Sequence, residues 1–171
     1  YISNYSSGKM GLALADVAKN LGADVTLVTT CDVSRKYNVV KVNSAEEMKN
    51  AVEAEFDSAD CIIMAAAVAD YRVKERASQK MKKTSADEIT LTLVKNPDIL
   101  KELCQKKNTH PLREGGNLSD FRVGKLPLIV GFCAESENLI ANAKEKIAKK
   151  GCDYLIANDI SRKDIGFSSD F

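Results

Sequence analysis

Asn4, Ser6, Ser7, Gly8 and Lys9 stand in the run Ile2-Ser-Asn-Tyr-Ser-Ser-Gly-Lys-Met-Gly11, directly ahead of an amphipathic pattern. The first amides of a helix lack intrahelical partners and sit at the positive end of its dipole, so the run gathers hydroxyls, a carboxamide and backbone donors where an anion is favoured. Its Ser6-Ser7-Gly8-Lys9 core has the composition of a phosphate-binding loop. Ser3 stands where that loop needs its first glycine, and Met10 replaces the magnesium-binding hydroxyl, which argues against a Walker-type NTPase. A helix cap with a turn glycine accounts for the same residues.

Other candidates recur along the chain. Met64-Ala65-Ala66-Ala67 leads into Val68-Ala69-Asp70-Tyr71-Arg72; small residues at a strand end let a ring or sugar approach, and Asp70 could accept from a ribose hydroxyl or approach a metal. Lys80, Lys82 and Lys83 crowd a stretch without helical or strand periodicity, a cationic flap suited to a polyphosphate. Lys95-Asn96-Pro97-Asp98-Ile99 is a strand-to-helix turn whose amides could meet a phosphate or a base edge. Phe132, in Gly131-Phe-Cys-Ala-Glu-Ser136, could stack on a base that Gly131 lets the backbone approach. Lys146 and Lys150 lie one helical turn apart. Each has a plainer reading as packing, cap, core or solvated surface.

The elements that must position these residues alternate. Met10, Leu14, Val17, Ala18 and Leu21 have helical spacing up to Gly22, and strands are predicted over 24–30 and 39–42. Ser44 and Glu47 match a capping box opening a helix to about Phe56, followed by a buried strand over 60–67. Alternation predicts a strand over 89–94, then a helix capped by Asn96 with Pro97 in its first position, running to roughly Lys106. A polar connection over 108–125, a strand over 126–130, a helix over 137–150 and a strand over 153–157 complete the order. This is the pattern of an α/β fold, a Rossmann-like three-layer sandwich with a mostly parallel sheet, in which ligands bind beyond the strand carboxyl ends.

Composition narrows the chemistry. The 171 residues are 44% hydrophobic, enough for one substantial core, and a single domain truncated at both ends is expected over 1–171. Lys and Arg number 25 against 24 acidic residues, so net charge gives no case for nucleic acid or an anionic membrane surface. No apolar run reaches membrane-spanning length. Five scattered cysteines with no C-x-x-C pair read as reduced thiols, and a cytoplasmic location follows. His110 is the only histidine and reads as a surface loop residue, which leaves little for histidine-based metal or triad chemistry.

Taken in order, Ile2–Gly11, Ala66–Arg72, Lys80–Lys83, Val94–Ile99, Gly131–Ser136 and Ala157-Asn-Asp-Ile-Ser161 resemble the successive motifs of phosphopantothenoylcysteine synthetases, in bacteria commonly the C-terminal half of a bifunctional coenzyme A biosynthesis flavoprotein. The resemblance implies a ligase that joins phosphopantothenate to L-cysteine with CTP and Mg²⁺, through an acyl-cytidylate and with release of pyrophosphate. By position it places Met64, Ala65, Ala66, Asp70, Lys80, Pro97, Asp98, Ile99, Phe132, Lys146 and Lys150 on the nucleotide, and Asn4 and Ala67 on the acyl intermediate. Asn4 and Lys80 become the catalytic candidates, one donating to an oxyanion and the other stabilising charge on the α-phosphate. It also implies a homodimer, a possible fused flavin decarboxylase domain and no FMN on this stretch. The family's Gly-rich first strand and the basic residue after it are missing from this fragment, and 108–125 is longer than the usual connection. Two alternatives remain: a nicotinamide-dependent oxidoreductase, which would need a G-x-G-x-x-G after a first strand, and a nucleotide-binding regulatory module without turnover.

Overall fold

A computed structural model describes residues 3–4, 6–75, 79, 88–110 and 126–161. In chain order these form α1 (Lys9–Asn20), β1 (Thr26–Thr29), β2 (Asn38–Lys41), α2 (Ala45–Glu55), β3 (Cys61–Met64), β4 (Tyr71–Val73), β5 (Leu93–Lys95), α3 (Ile99–Asn108), β6 (Leu128–Glu135), α4 (Leu139–Lys150) and β7 (Tyr154–Asp159). The α/β class and the parallel pairing agree with the sequence reading: β1 pairs parallel with β2, and β3, β6 and β7 form a parallel three-stranded sheet in that order. The expected single sheet is instead three among the described residues, because β4 and β5 form a separate antiparallel ribbon and no strand joins β1 to β3. Between these two strands lies a cleft of about 770 Å³, bounded on its other side by α1.

Period-two alternation decides which face of the three-stranded sheet is covered. Ile62 and Ile129 point to one face and meet Val52 and Phe56 beside α2, and Ile99, Leu103 and Cys104 from α3. Phe56 and Ile129 are fully buried, each stabilising by roughly 1.5–3 kcal/mol relative to exposure. Gly131 lies on this covered face; a Cβ there would come within 2.6 Å of Leu100 Cδ2 and 3.1 Å of Leu155 Cδ1. Its missing side chain is therefore needed for α3 to sit down on β6, and not for approach to a base. Asp153 fastens the same helix from below, accepting from Lys107 Nζ (2.6 Å) and from the Ile129 amide (2.7 Å).

Local signals and tertiary demand disagree at several element ends. Ser44 accepts from the Glu47 amide at 3.1 Å as a capping box requires, but Glu47 reaches back to the Asn43 amide (2.8 Å), one residue earlier than the box predicts. The strand expected over 89–94 pairs only at Leu93–Lys95, since its partner β4 is three residues long and the ladder ends with Lys74 N–H on the Thr92 carbonyl. Asn96 does not cap α3 and Pro97 is not its first residue: Asn96 spends its amide on the Ala69 carbonyl, and Asp98 caps by accepting from the Lys101 amide at 3.2 Å. β6 runs on through Gly131-Phe132 to Glu135 because β7 pairs along it for six residues, so the Gly-Phe motif lies inside a strand. His110 is no free loop residue either; it packs beside Phe56, with ring centroids 6.4 Å apart, and sits 3.6 Å from Asp57.

Candidate active site at the strand carboxyl ends

Asn4 reaches across the end of β3. Its Nδ2 donates to the carbonyls of Ala67 (3.4 Å) and Val68 (3.2 Å), residues 63 and 64 positions away, so the two residues assigned to an acyl group are in direct contact. The following turn is fixed by Gly8, which caps α1 with φ 72° and has no room for a Cβ, Cys31 Sγ lying 2.7 Å from where one would be. Cys31 itself follows β1 and meets the Ser7 carbonyl at 3.7 Å. The segment leading into α1 thus spans the carboxyl ends of β1 and β3, the place where open parallel sheets bind ligands. Asn4, Gly8, Ala65, Ala66, Ala67 and Met64 all line the cleft.

The remaining candidates divide into separate groups. Phe132 is half-buried and pairs with Ile156 in the ladder; two residues on, Ala134 pairs with Asn158, whose amide lies 3.8 Å from Met10 Sδ of α1. Phe132 therefore shares the sheet face that α1 approaches, opposite Gly131. Asp70 is exposed, and its carboxylate carries no ion pair among the described residues. Pro97 lines a second, more open cavity of about 590 Å³ with Arg72 and Lys95. Ile99 is only 3% exposed and its side chain belongs to the core, which leaves only its backbone to face a ligand. Lys80 and the rest of the lysine cluster lie outside the described residues, as does most of 108–125.

Both candidate lysines of α4 already hold carboxylates. Lys146 pairs with Glu135 at the end of β6, where Asn142 also donates at 2.9 Å, and Lys150 pairs with Asp98 at the start of α3. The Lys146 ammonium, and after it the Asn142 amide, hold the Glu135 carboxyl below its ordinary range. Burial raises the thiols of Cys133 and Cys152 and pushes Cys104 up to about 11, and these three buried cysteines serve packing; the exposed Cys61 is also raised, by partial burial of its thiol and then by the nearby Asp153 and Asp60 carboxylates. Sequence reasoning assigned no role to Arg72 and only a helix cap to Asn96, although both lie within quoted motifs. Arg72 Nη1 donates to the Lys95 carbonyl (2.5 Å) and to Asn96 Oδ1 (3.4 Å), while Nη2 meets Glu46 of α2 at 2.7 Å. No local pattern signals contacts between residues more than twenty positions apart.

The parallel strands with helices packed against them, and the Asn4 turn set against the alanine-rich end of β3, define an α/β domain of the class whose ligand sites lie at strand carboxyl ends. The chain belongs to the DNA/pantothenate metabolism flavoprotein C-terminal domain family, whose pattern it matches over residues 1–171. It is 42% identical over 173 residues to the coenzyme A biosynthesis bifunctional protein CoaBC of Vibrio vulnificus, covering 99% of this chain and 39% of that protein. The protein of the same name from Escherichia coli K12 is 41% identical over 175 residues with the same coverage. The chain thus spans well under half the length of these relatives. A crystal structure of the C-terminal domain of a CoaBC protein superposes with a TM-score of 0.68 at 34% identity, over 92% of this chain and 67% of that one. A DNA/pantothenate metabolism flavoprotein from Streptococcus pneumoniae, 19% identical over 94% of this chain and 75% of that one, shares the fold with a TM-score of 0.68.

Proposed function

We propose that this chain is the synthetase part of a coenzyme A biosynthesis protein, a ligase that condenses phosphopantothenate with L-cysteine at the expense of CTP. The observation that carries the reading is the contact of Asn4 with the Ala67–Val68 bend, which joins the first motif to the second at a strand end, in a chain matched by the family from end to end. A carboxylate oxygen of phosphopantothenate attacks the α-phosphorus of CTP and pyrophosphate leaves; the cysteine amine then attacks the acyl carbon, CMP leaves and the amine proton passes to water. Bringing two anions together requires positive charge and fixed orientation. Lys80 supplies charge at the α-phosphate, Lys146 and Lys150 at the remaining phosphates once released from Glu135 and Asp98, and Phe132 a flat apolar surface for the base. Met64, Ala65, Ala66, Pro97, Asp98 and Ile99 provide close backbone approach.

The Asn4 side-chain amide donates to both the Ala67 and Val68 carbonyls. Asn4 therefore orients this bend, and donation to a developing oxyanion requires one of the two bonds to open. Mg²⁺ bound to a triphosphate keeps most of its waters and asks the protein for one or two oxygen ligands, a part the exposed Asp70 carboxylate would fit. Held there, the ion would supply neutralisation of phosphate charge. Among the described residues there is no group of three or more His, Cys, Asp or Glu side chains that could hold a metal ion.

The proposed assembly is a homodimer in the cytoplasm, with a flavin decarboxylase domain elsewhere in the polypeptide. The apolar, exposed Tyr71, Ile89, Leu91 and Leu93 on and beside the β4-β5 ribbon support a second copy as partner, since an isolated two-stranded ribbon is marginal in water. No described helix is long and apolar enough to cross a membrane. The decisive experiment is coupled pyrophosphate release with phosphopantothenate and cysteine present, given CTP or ATP in turn. CTP is expected to be preferred at least about tenfold, because a pocket matched to the cytosine edge leaves polar groups unpaired against adenine. Equal use of ATP would overturn the nucleotide assignment, and CTP binding without pyrophosphate release would make the chain a nucleotide-binding module.

A further inference from the structure

Two loops carry five of the nucleotide contacts proposed above, 65–70 after β3 and 95–98 before α3, and they are separated by more than twenty residues. Beyond the β4-β5 ladder, they are joined by one polar knot. The Asn96 amide nitrogen donates to the Asp70 carbonyl (2.8 Å), and its side-chain Nδ2 donates to the Ala69 carbonyl (2.7 Å). Arg72 closes the knot from the other side, donating to the Lys95 carbonyl and Asn96 Oδ1 while its second nitrogen is anchored on Glu46. Asn96 is half-buried, and every polar atom of its side chain is committed to the knot.

We infer that Arg72 and Asn96 are positioning residues for the nucleotide: they hold the Ala65–Asp70 loop against the Lys95–Asp98 turn and, acting through those two segments, set how tightly CTP is held. The argument rests on the synthetase reading. A planar guanidinium bridging a carbonyl, a carboxamide and a carboxylate fixes three chain segments at once, which a lysine cannot do. A carboxamide is also the only side chain of its size that both donates to Ala69 and accepts from Arg72. If the knot loosens, the two loops lose their mutual register, and a nucleotide pays to restore it on binding.

Asn96→Asp tests this with little change of shape. It keeps the acceptor for Arg72 but sets an oxygen against the Ala69 carbonyl. In the full chain, the KM for CTP should rise about tenfold, equivalent to about 1.4 kcal/mol, while the KM for phosphopantothenate stays within about twofold. Arg72→Gln should raise the CTP KM similarly, Arg72→Lys should recover part of the loss, and the double variant Arg72→Gln/Asn96→Asp should be no worse than the poorer single, as expected for one coupled unit. A purely structural role would lower the melting temperature and the active fraction, or raise both KM values together, and either result overturns the proposal. Calorimetric titration with CTP separates the two readings. A wild type that binds CTP without releasing pyrophosphate sinks the synthetase assignment alone; equal CTP affinity in wild type and Asn96→Asp sinks the positioning role whatever the turnover; a wild type that does neither sinks both.

Discussion

Glu135 carries a cost and a benefit that can be read through pH. Its carboxyl is held below the ordinary range by the Lys146 ammonium first and the Asn142 amide second. A carboxyl with a depressed folded value stabilises the fold above its unfolded value, and that contribution disappears as pH falls through the folded one. Glu135→Gln removes the titration. Compared by urea midpoints at neutral pH and at about pH 3, the wild type should lose more stability on acidification than the variant does. Parallel losses would show that the pair contributes nothing to the acid limb. The same contact matters for ligand binding, because an anion drawn to Lys146 must compete with a carboxylate already there.

Among the elements, the packing of α3 on β6 is the sharpest junction. Gly131 leaves 2.6 Å between a would-be Cβ and the Leu100 methyl, with Leu155 at 3.1 Å on the neighbouring strand. Gly131→Ala must push α3 off the sheet or force Leu100 out of its rotamer, and should destabilise by about 1–3 kcal/mol. Gly11 offers the contrast: it lies inside α1 with nothing within 4 Å of a would-be Cβ. Gly11→Ala should leave stability unchanged or raise it by up to about 1 kcal/mol through helix propensity. Denaturant midpoints of the pair decide the point, and a Gly131→Ala protein as stable as wild type would mean that α3 is looser on β6 than its contacts indicate.

For the molecule as a whole, the ribbon of β4 and β5 carries a run of exposed apolar side chains among the described residues. Ile89 is 67% exposed and Leu91 53%, and both stand beside a ladder that stops short of them. A dimer built on this ribbon predicts that Ile89→Lys with Leu91→Lys yields a monomer by analytical ultracentrifugation, with the fold retained by circular dichroism. Wild type sedimenting as a monomer at micromolar concentration, or an undisturbed dimer in the double variant, would remove the ribbon as the contact.

Much was legible from residue types alone, for reasons that are local. Helical spacing up to Gly22, the Ser44–Glu47 cap and the apolar or β-branched runs behind the strands expected over 24–30, 60–67 and 153–157 each specify backbone conformation within a few residues; the elements formed there as Lys9–Asn20, Ala45–Glu55, Thr26–Thr29, Cys61–Met64 and Tyr154–Asp159, with strand ends shifted by up to three residues where pairing stopped or ran on. The motif order was equally readable, and it pointed to the family. What tertiary structure decided is pairing at a distance. Asn96 looked like a cap and became a strut, its side chain bonded to the Ala69 carbonyl while Asp98 caps the helix; Gly131 looked like a ligand approach and proved to be a seat for Leu100. Lys146 and Lys150 looked free and were found holding Glu135 and Asp98. A side chain's intrinsic capacity to donate, accept or leave space is written in its type, but the group that takes up that capacity is chosen by the fold, which brings together residues that no sequence interval relates.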